Sequence, residues 1–169
     1  MTMPPRLRKL ALTVHVGVSV GWLGAVLVFL GLSAVGLMSD DAATVRGAYL
    51  VMLPAAEIVL VPLALASLAT GIVQALGTSW GLFRHYWVLF KLAITLAATL
   101  ILLTYIETFR AMAQVAADPA VDLASVRNVS PLLHSVLALI ALLIAMVLGL
   151  YKPRGLTRYG WRRAQRSGG

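Results

Sequence analysis

Four long stretches almost without charge constrain this chain more than any other feature. No charged residue lies between Leu10 and Ser39, and none between Asn128 and Tyr151. Glu57 is the only one between Gly47 and Phe83, and Lys91 the only one between His85 and Ile106. A helix needs about 20 mostly apolar residues to cross roughly 30 Å of hydrocarbon. The runs are continuous rather than alternating, so they predict helices and not barrel strands. The predicted spans are 10–37, 50–76, 86–107 and 132–151, followed by a basic tail over 152–169. This is the pattern of an all-α, polytopic four-transmembrane-helix bundle forming a single membrane domain over 1–169.

Composition excludes the alternatives. Only 12% of the 169 residues are charged and 60% are hydrophobic, whereas a soluble domain carries about 25% charged residues. The net charge of +8 sits at the chain ends, so membrane lipids are the expected partners and nucleic acid is not. The absence of cysteine excludes disulfides and thiolate metal sites. The first apolar run is longer than the roughly 7–15 residues of a signal peptide, which makes it an anchor.

The basic residues also give an orientation. Of the 14 Lys and Arg residues, ten flank one side: Arg6, Arg8, Lys9, Arg84, Lys152, Arg154, Arg158, Arg162, Arg163 and Arg166. Arg46, Arg110 and Arg127 flank the other. The positive-inside rule then places both termini in the cytoplasm of a multi-pass protein of the inner (plasma) membrane. The basic tail reads chiefly as a topology signal.

Spacing in the first span separates two faces. His15, Ser19 and Trp22 stand at i, i+4 and i+7 and share a side. Gly17, Gly21 and Gly24 lie roughly opposite, where small residues let another helix approach, in the bundle or in a homo-oligomer. An ionisable residue inside a membrane is a functional candidate, so His15 is a candidate cofactor ligand, with a satisfied structural histidine as the alternative. In the third span Arg84, Trp87, Lys91 and Thr95 make one helical stripe, with His85 beside it. Lys91 either snorkels to the interface or holds an acidic group such as a haem propionate. Two histidines on neighbouring helices can ligate a haem between them. Glu57, Glu107 and His134 come from three spans near the other leaflet. A histidine with two carboxylates is a candidate divalent-metal or proton site. Glu107 also has Arg110 as a ready i+3 partner.

The residues carry a resemblance. His15, then Trp22 seven positions on and Gly24 two beyond it, resembles the opening of the copper-resistance-D-like and HemJ-like integral membrane proteins. Trp87 followed by Lys91 at a span start extends the likeness. The resemblance implies haem b, with His15 as ligand and Lys91 as the second critical residue; for the HemJ-like enzymes it implies oxidation of protoporphyrinogen IX. After Trp22 this chain is apolar through Leu30, where the enzymes carry Pro-Arg and a second histidine. The closer likeness is therefore to the bacterial copper-resistance-D-like group, for which copper handling or haem binding is implied.

The expected function is haem b binding between helices, with His15, Trp22, Arg84, His85 and Lys91 at the site. Copper or small-solute transport through Glu57, Glu107 and His134 is the alternative, and a structural accessory subunit the third reading. No phosphate loop, GxSxG or HExxH motif is present.

Overall fold

The computed structural model describes residues 3–78 and 80–166, without the side chains of Arg163, Ala164 and Arg166. Ser79 in the predicted turn, and the Arg163 and Arg166 side chains, thus lie outside the described residues. Seven helices follow in order: α1 (Pro5–Met38), α2 (Ala42–Ala55), α3 (Val61–Gly77), α4 (Tyr86–Ala117), α5 (Leu123–Val126), α6 (Ser130–Tyr151) and α7 (Arg158–Arg166). A π-helical turn, Ala56–Leu60, joins α2 to α3 without a break. Four segments are long and apolar enough to cross a membrane: Pro5–Met38, Ala42–Gly77, Tyr86–Ala117 and Leu123–Tyr151.

α1 starts on Pro5, where a missing N–H costs nothing. Its inward face follows a three-four repeat of His15, Ser19, Trp22, Val26, Phe29, Ser33 and Gly36, all buried except the half-buried Ser19. α2 is capped by the Asp41 carboxylate, which accepts from the Thr44 N–H at 2.9 Å and the Thr44 hydroxyl at 2.6 Å. The π turn lies between Pro54 and Pro62. Pro62 lacks the N–H that an α-helix would give to the Ile58 carbonyl, so the ladder widens there.

The long helices form a square. α1 packs on the α2–α3 span and on α6, and α4 packs on the same two neighbours. α1 and α4 therefore meet across the axis through side chains. Phe29 meets Phe109 edge to face at 5.4 Å, and Tyr105 meets Phe109 at 4.9 Å. Such pairs add about 0.5–1.5 kcal/mol each beyond burial. Between helices in lipid, close contact replaces the hydrophobic effect as the driving force. Ala56 and Ala64 are fully buried for that reason, and Gly36 admits the Tyr49 ring where a Cβ would stand 3.0 Å from it.

Both ends of the described chain lie at one end of the bundle. The Met3 N–H donates to the Gly77 carbonyl, and the Tyr86 N–H to the Gly155 carbonyl. The tail does more than mark topology. Thr157 donates through its N–H to the Arg84 carbonyl and through its hydroxyl to Phe83 O, docking residues 155–160 on the α3–α4 loop.

Helix ends differ from the sequence expectation at the opposite end. The second span begins at Ala42 rather than Leu50, and the third runs to Ala117 rather than Glu107. Charged residues end a membrane span, but they do not end a helix. α4 stops only where Asp118-Pro119 denies it continuation. Most of the expected loop over 108–131 is thus helix, including the short α5.

Candidate functional site

The polar residues of the first and third spans meet. His15 Nε2 lies 3.2 Å from Lys91 Nζ, and His15 Nδ1 lies 2.9 Å from the Thr70 hydroxyl of α3. The hydrogen bonds fix the tautomer. The Thr70 hydroxyl donates its one hydrogen to the Ala66 carbonyl at 2.6 Å, so it accepts from His15 Nδ1–H. Nε2 is then the bare nitrogen, and Lys91 Nζ donates to it. Ser19 and Ser67 pair at 2.9 Å one turn deeper. Glycines enclose the pair. A Cβ on Gly71 would stand 3.2 Å from His15 Cε1, and one on Gly149 would stand 3.2 Å from Lys91 Nζ.

This pair borders a cavity of about 390 Å³ that opens towards the end carrying the termini. Arg8, Lys9, Lys91 and Lys152 line it together with His15, and among the described residues no Asp or Glu does. Among the described residues, two N–H groups of the lining have no partner: Gln74 Nε2 and the indole Nε1 of Trp87, a residue only 9% exposed. Lys152 stands over the Trp80 ring at 5.4 Å, reached through a left-handed turn at the end of α6 (φ 44°). Unmatched buried donors are costly, and donors beside clustered cations suit an anionic ligand.

The other expected haem residues separate. Trp22 shares the face of His15 but lines a different, apolar cavity deeper in the bundle. Arg84 precedes α4 and so is not on the Trp87–Lys91 stripe; its carbonyl anchors the tail. His85 flanks the first residue of α4. Its Nδ1–H donates to the Trp80 carbonyl at 2.8 Å, and its ring packs on Trp80 and Trp87. It does not line the cavity of His15. Iron ligation does not fit His15 as it stands, because the ring nitrogen a metal would need already faces an amine.

At the opposite end of the bundle, the two carboxylates expected at a metal site pair with an arginine. Arg110 bridges Glu107 and Glu57, at 2.5 Å and 3.4 Å, on the exposed surface. His134 lies apart, stacked on Tyr105 with ring centroids 4.1 Å apart. Among the described residues no three His, Asp or Glu side chains gather to hold a metal ion.

Two arginines that sequence reasoning treated only as topology charges have fixed structural partners. Arg127 donates to the Leu37 and Ser39 carbonyls at 2.9 and 2.8 Å, closing the C-terminal end of α1. Arg46 donates to the carbonyl of Ala116 in the last turn of α4 and to those of Asp118 and Val121 after it. Of the glycine face, Gly21 packs against Leu63, whereas Gly17 and Gly24 look outward with nothing within 4 Å of a Cβ. No family model, curated protein or solved structure matches the chain.

Proposed function

We propose that this chain is a multi-pass plasma-membrane protein, both termini cytoplasmic, that holds an amphipathic anion in the basic cavity between α1, α3, α4 and α6. One observation carries the reading: four basic side chains, no acidic one, and two unmatched buried N–H donors line a single cavity inside an apolar bundle. The chemistry asks for a carboxylate or phosphate head on an apolar body. Lys91 is held at depth by His15, and Arg8, Lys9 and Lys152 stand nearer the bundle end.

Haem b, an apolar ring with two carboxylates, belongs to this ligand class, and the His15 to Gly24 pattern favours it. Its carboxylates would be met by the lysines, while His15 stays bonded to Lys91. Copper or solute transport finds no comparable support, because Arg110 occupies both carboxylates.

The test is binding to detergent-purified protein by native mass spectrometry, with dodecyl phosphate, uncharged dodecanol and haem b as probes. Dodecyl phosphate should bind saturably, and a Lys91→Gln, Lys152→Gln double variant should bind it roughly tenfold more weakly. Equal retention of dodecanol and dodecyl phosphate would sink the proposal. With haem b, a Soret band unchanged in His15→Ala is the expected result; its loss would make His15 the axial ligand. Reporter fusions at Asp41 and after Arg158 check the orientation, outside and inside respectively.

A further inference from the structure

A second cavity, of about 400 Å³, lies deeper in the bundle and is lined almost wholly by apolar side chains of α1, α4 and α6. Trp22, Phe29, Tyr105 and Phe109 supply rings to its walls, and His134 is its only imidazole. From Phe109 it runs along α4 to Ile94, a rise of about 22 Å at about 1.5 Å per residue.

The hydrogen bonds of His134 decide what this groove recognises. Its Nδ1 lies 2.9 Å from the Ser130 carbonyl of its own helix. A carbonyl only accepts, so Nδ1 carries the proton and Nε2 is bare. The Ser130 hydroxyl, 3.3 Å from the same Nδ1, also receives the Tyr105 O–H at 2.7 Å. Tyr105 is thus already committed as a donor. Nε2 has no hydrogen-bond partner among the described residues and stays accessible.

We propose that this groove binds a hydroxyl-headed aromatic lipid of the hydroquinone class, its O–H donating to His134 Nε2 and its apolar tail lying along α4 towards Ile94. Three features select that occupant over a phospholipid acyl chain. A bare acceptor rewards a hydroxyl donor, which an acyl chain lacks. The rings of Tyr105, Phe109 and Phe29, which meet one another beside His134, suit a flat head. The apolar track of Ile94, Ala97, Ala98 and Ile101 suits an unbranched or isoprenoid-like tail. Glu57 and Glu107 do not enter the site, since Arg110 holds both.

The test uses decylhydroquinone and its dimethyl ether, which keeps shape and tail but has no O–H, on protein in lipid nanodiscs without oxygen. Saturable quenching of tryptophan fluorescence should show the hydroquinone binding about fivefold more tightly than the ether, the net value of one hydrogen bond. His134→Phe, which keeps a ring and removes the acceptor, should bind both alike. On the unsubstituted protein, the ¹⁵N resonance of His134 Nε2 should shift when hydroquinone saturates the site and stay put with the ether. Equal affinity for the two probes in the unsubstituted protein, or an unmoved Nε2 resonance at saturation, overturns the proposal.

Discussion

His15 shows how one side chain is specified by its neighbours rather than by its own chemistry. Thr70 spends its only hydrogen on the Ala66 carbonyl, which leaves the imidazole to donate through Nδ1 and to receive Lys91 at Nε2. His15 should therefore give the ¹⁵N pattern of the Nδ1–H tautomer in the folded protein, and Lys91→Met should change the Nε2 shift while sparing Nδ1. An Nε2–H pattern would refute the assignment. The enclosing glycines predict a second effect. A valine at position 71 places methyl groups where the His15 ring lies, since a bare Cβ is already 3.2 Å from Cε1. Overpacking of this kind costs about 1–3 kcal/mol. Thermal unfolding in detergent should show Gly71→Val well below the parent, and Gly17→Val, which meets open space, close to it. Sequence reasoning found His15 and Lys91 because ionisable groups are rare in an apolar run. It did not find Thr70, Gly71 or Gly149, since nothing in their local patterns distinguishes them from ordinary helix residues.

At the scale of the elements, the end away from the termini is sewn together by side chains reaching backbone carbonyls. Helices leave their last carbonyls unpaired. Arg127 answers those of Leu37 and Ser39 at the end of α1, and Arg46 those of Ala116 and Asp118 at the end of α4. Hydrogen bonds from a charged donor are worth about 1.5–3 kcal/mol. Arg127→Gln and Arg46→Gln should each destabilise by about 2 kcal/mol in reversible denaturation, whereas an exposed residue such as Arg6→Gln should change stability by less than about 0.5 kcal/mol. Equal effects at all three would mean that the clamps contribute nothing beyond charge. The same end carries two acid-sensitive caps. The Thr44 hydroxyl and N–H hold the Asp41 carboxyl below its ordinary range, and the Ser125 N–H and hydroxyl do the same for Asp122. A depressed carboxyl contributes stability in full above its unfolded pKa of about 3.9. That contribution is lost as pH falls through the lower folded value. The melting temperature should accordingly drop below about pH 4, and the drop should be smaller in an Asp41→Asn, Asp122→Asn double variant. An identical acid limb in the two proteins would remove both caps from the account.

Across the whole molecule, the apolar runs made the four spans legible, because a membrane's thickness is a coarse ruler that a window of hydropathy can read. The helix ends escaped, since a helix continues past Glu107 and Arg110 until Asp118-Pro119 stops it. The candidate site was legible only in part. Depth along a helix placed His15 and Lys91 at one level, but direction across the bundle is set by packing. That is why Trp22 faces a different cavity, and why Glu57 meets Arg110 rather than His134. The same distinction governs the glycines of α1. Periodicity put Gly17, Gly21 and Gly24 on one face, yet only Gly21 touches the bundle, with a Cβ 3.3 Å from Leu63. Gly17 and Gly24 leave a flat strip on the outer surface of α1, and it is there that the homo-oligomer expected from the sequence would make its contact, since small residues permit close approach of helices. The two roles separate experimentally. Gly21→Val should loosen the bundle and lower its melting temperature without altering subunit number. A Gly17→Val, Gly24→Val double variant should keep the melting temperature of the monomeric fold and shift single-molecule photobleaching in liposomes from two steps to one. Unchanged photobleaching steps in that double variant would return the outer glycines to simple lipid contact.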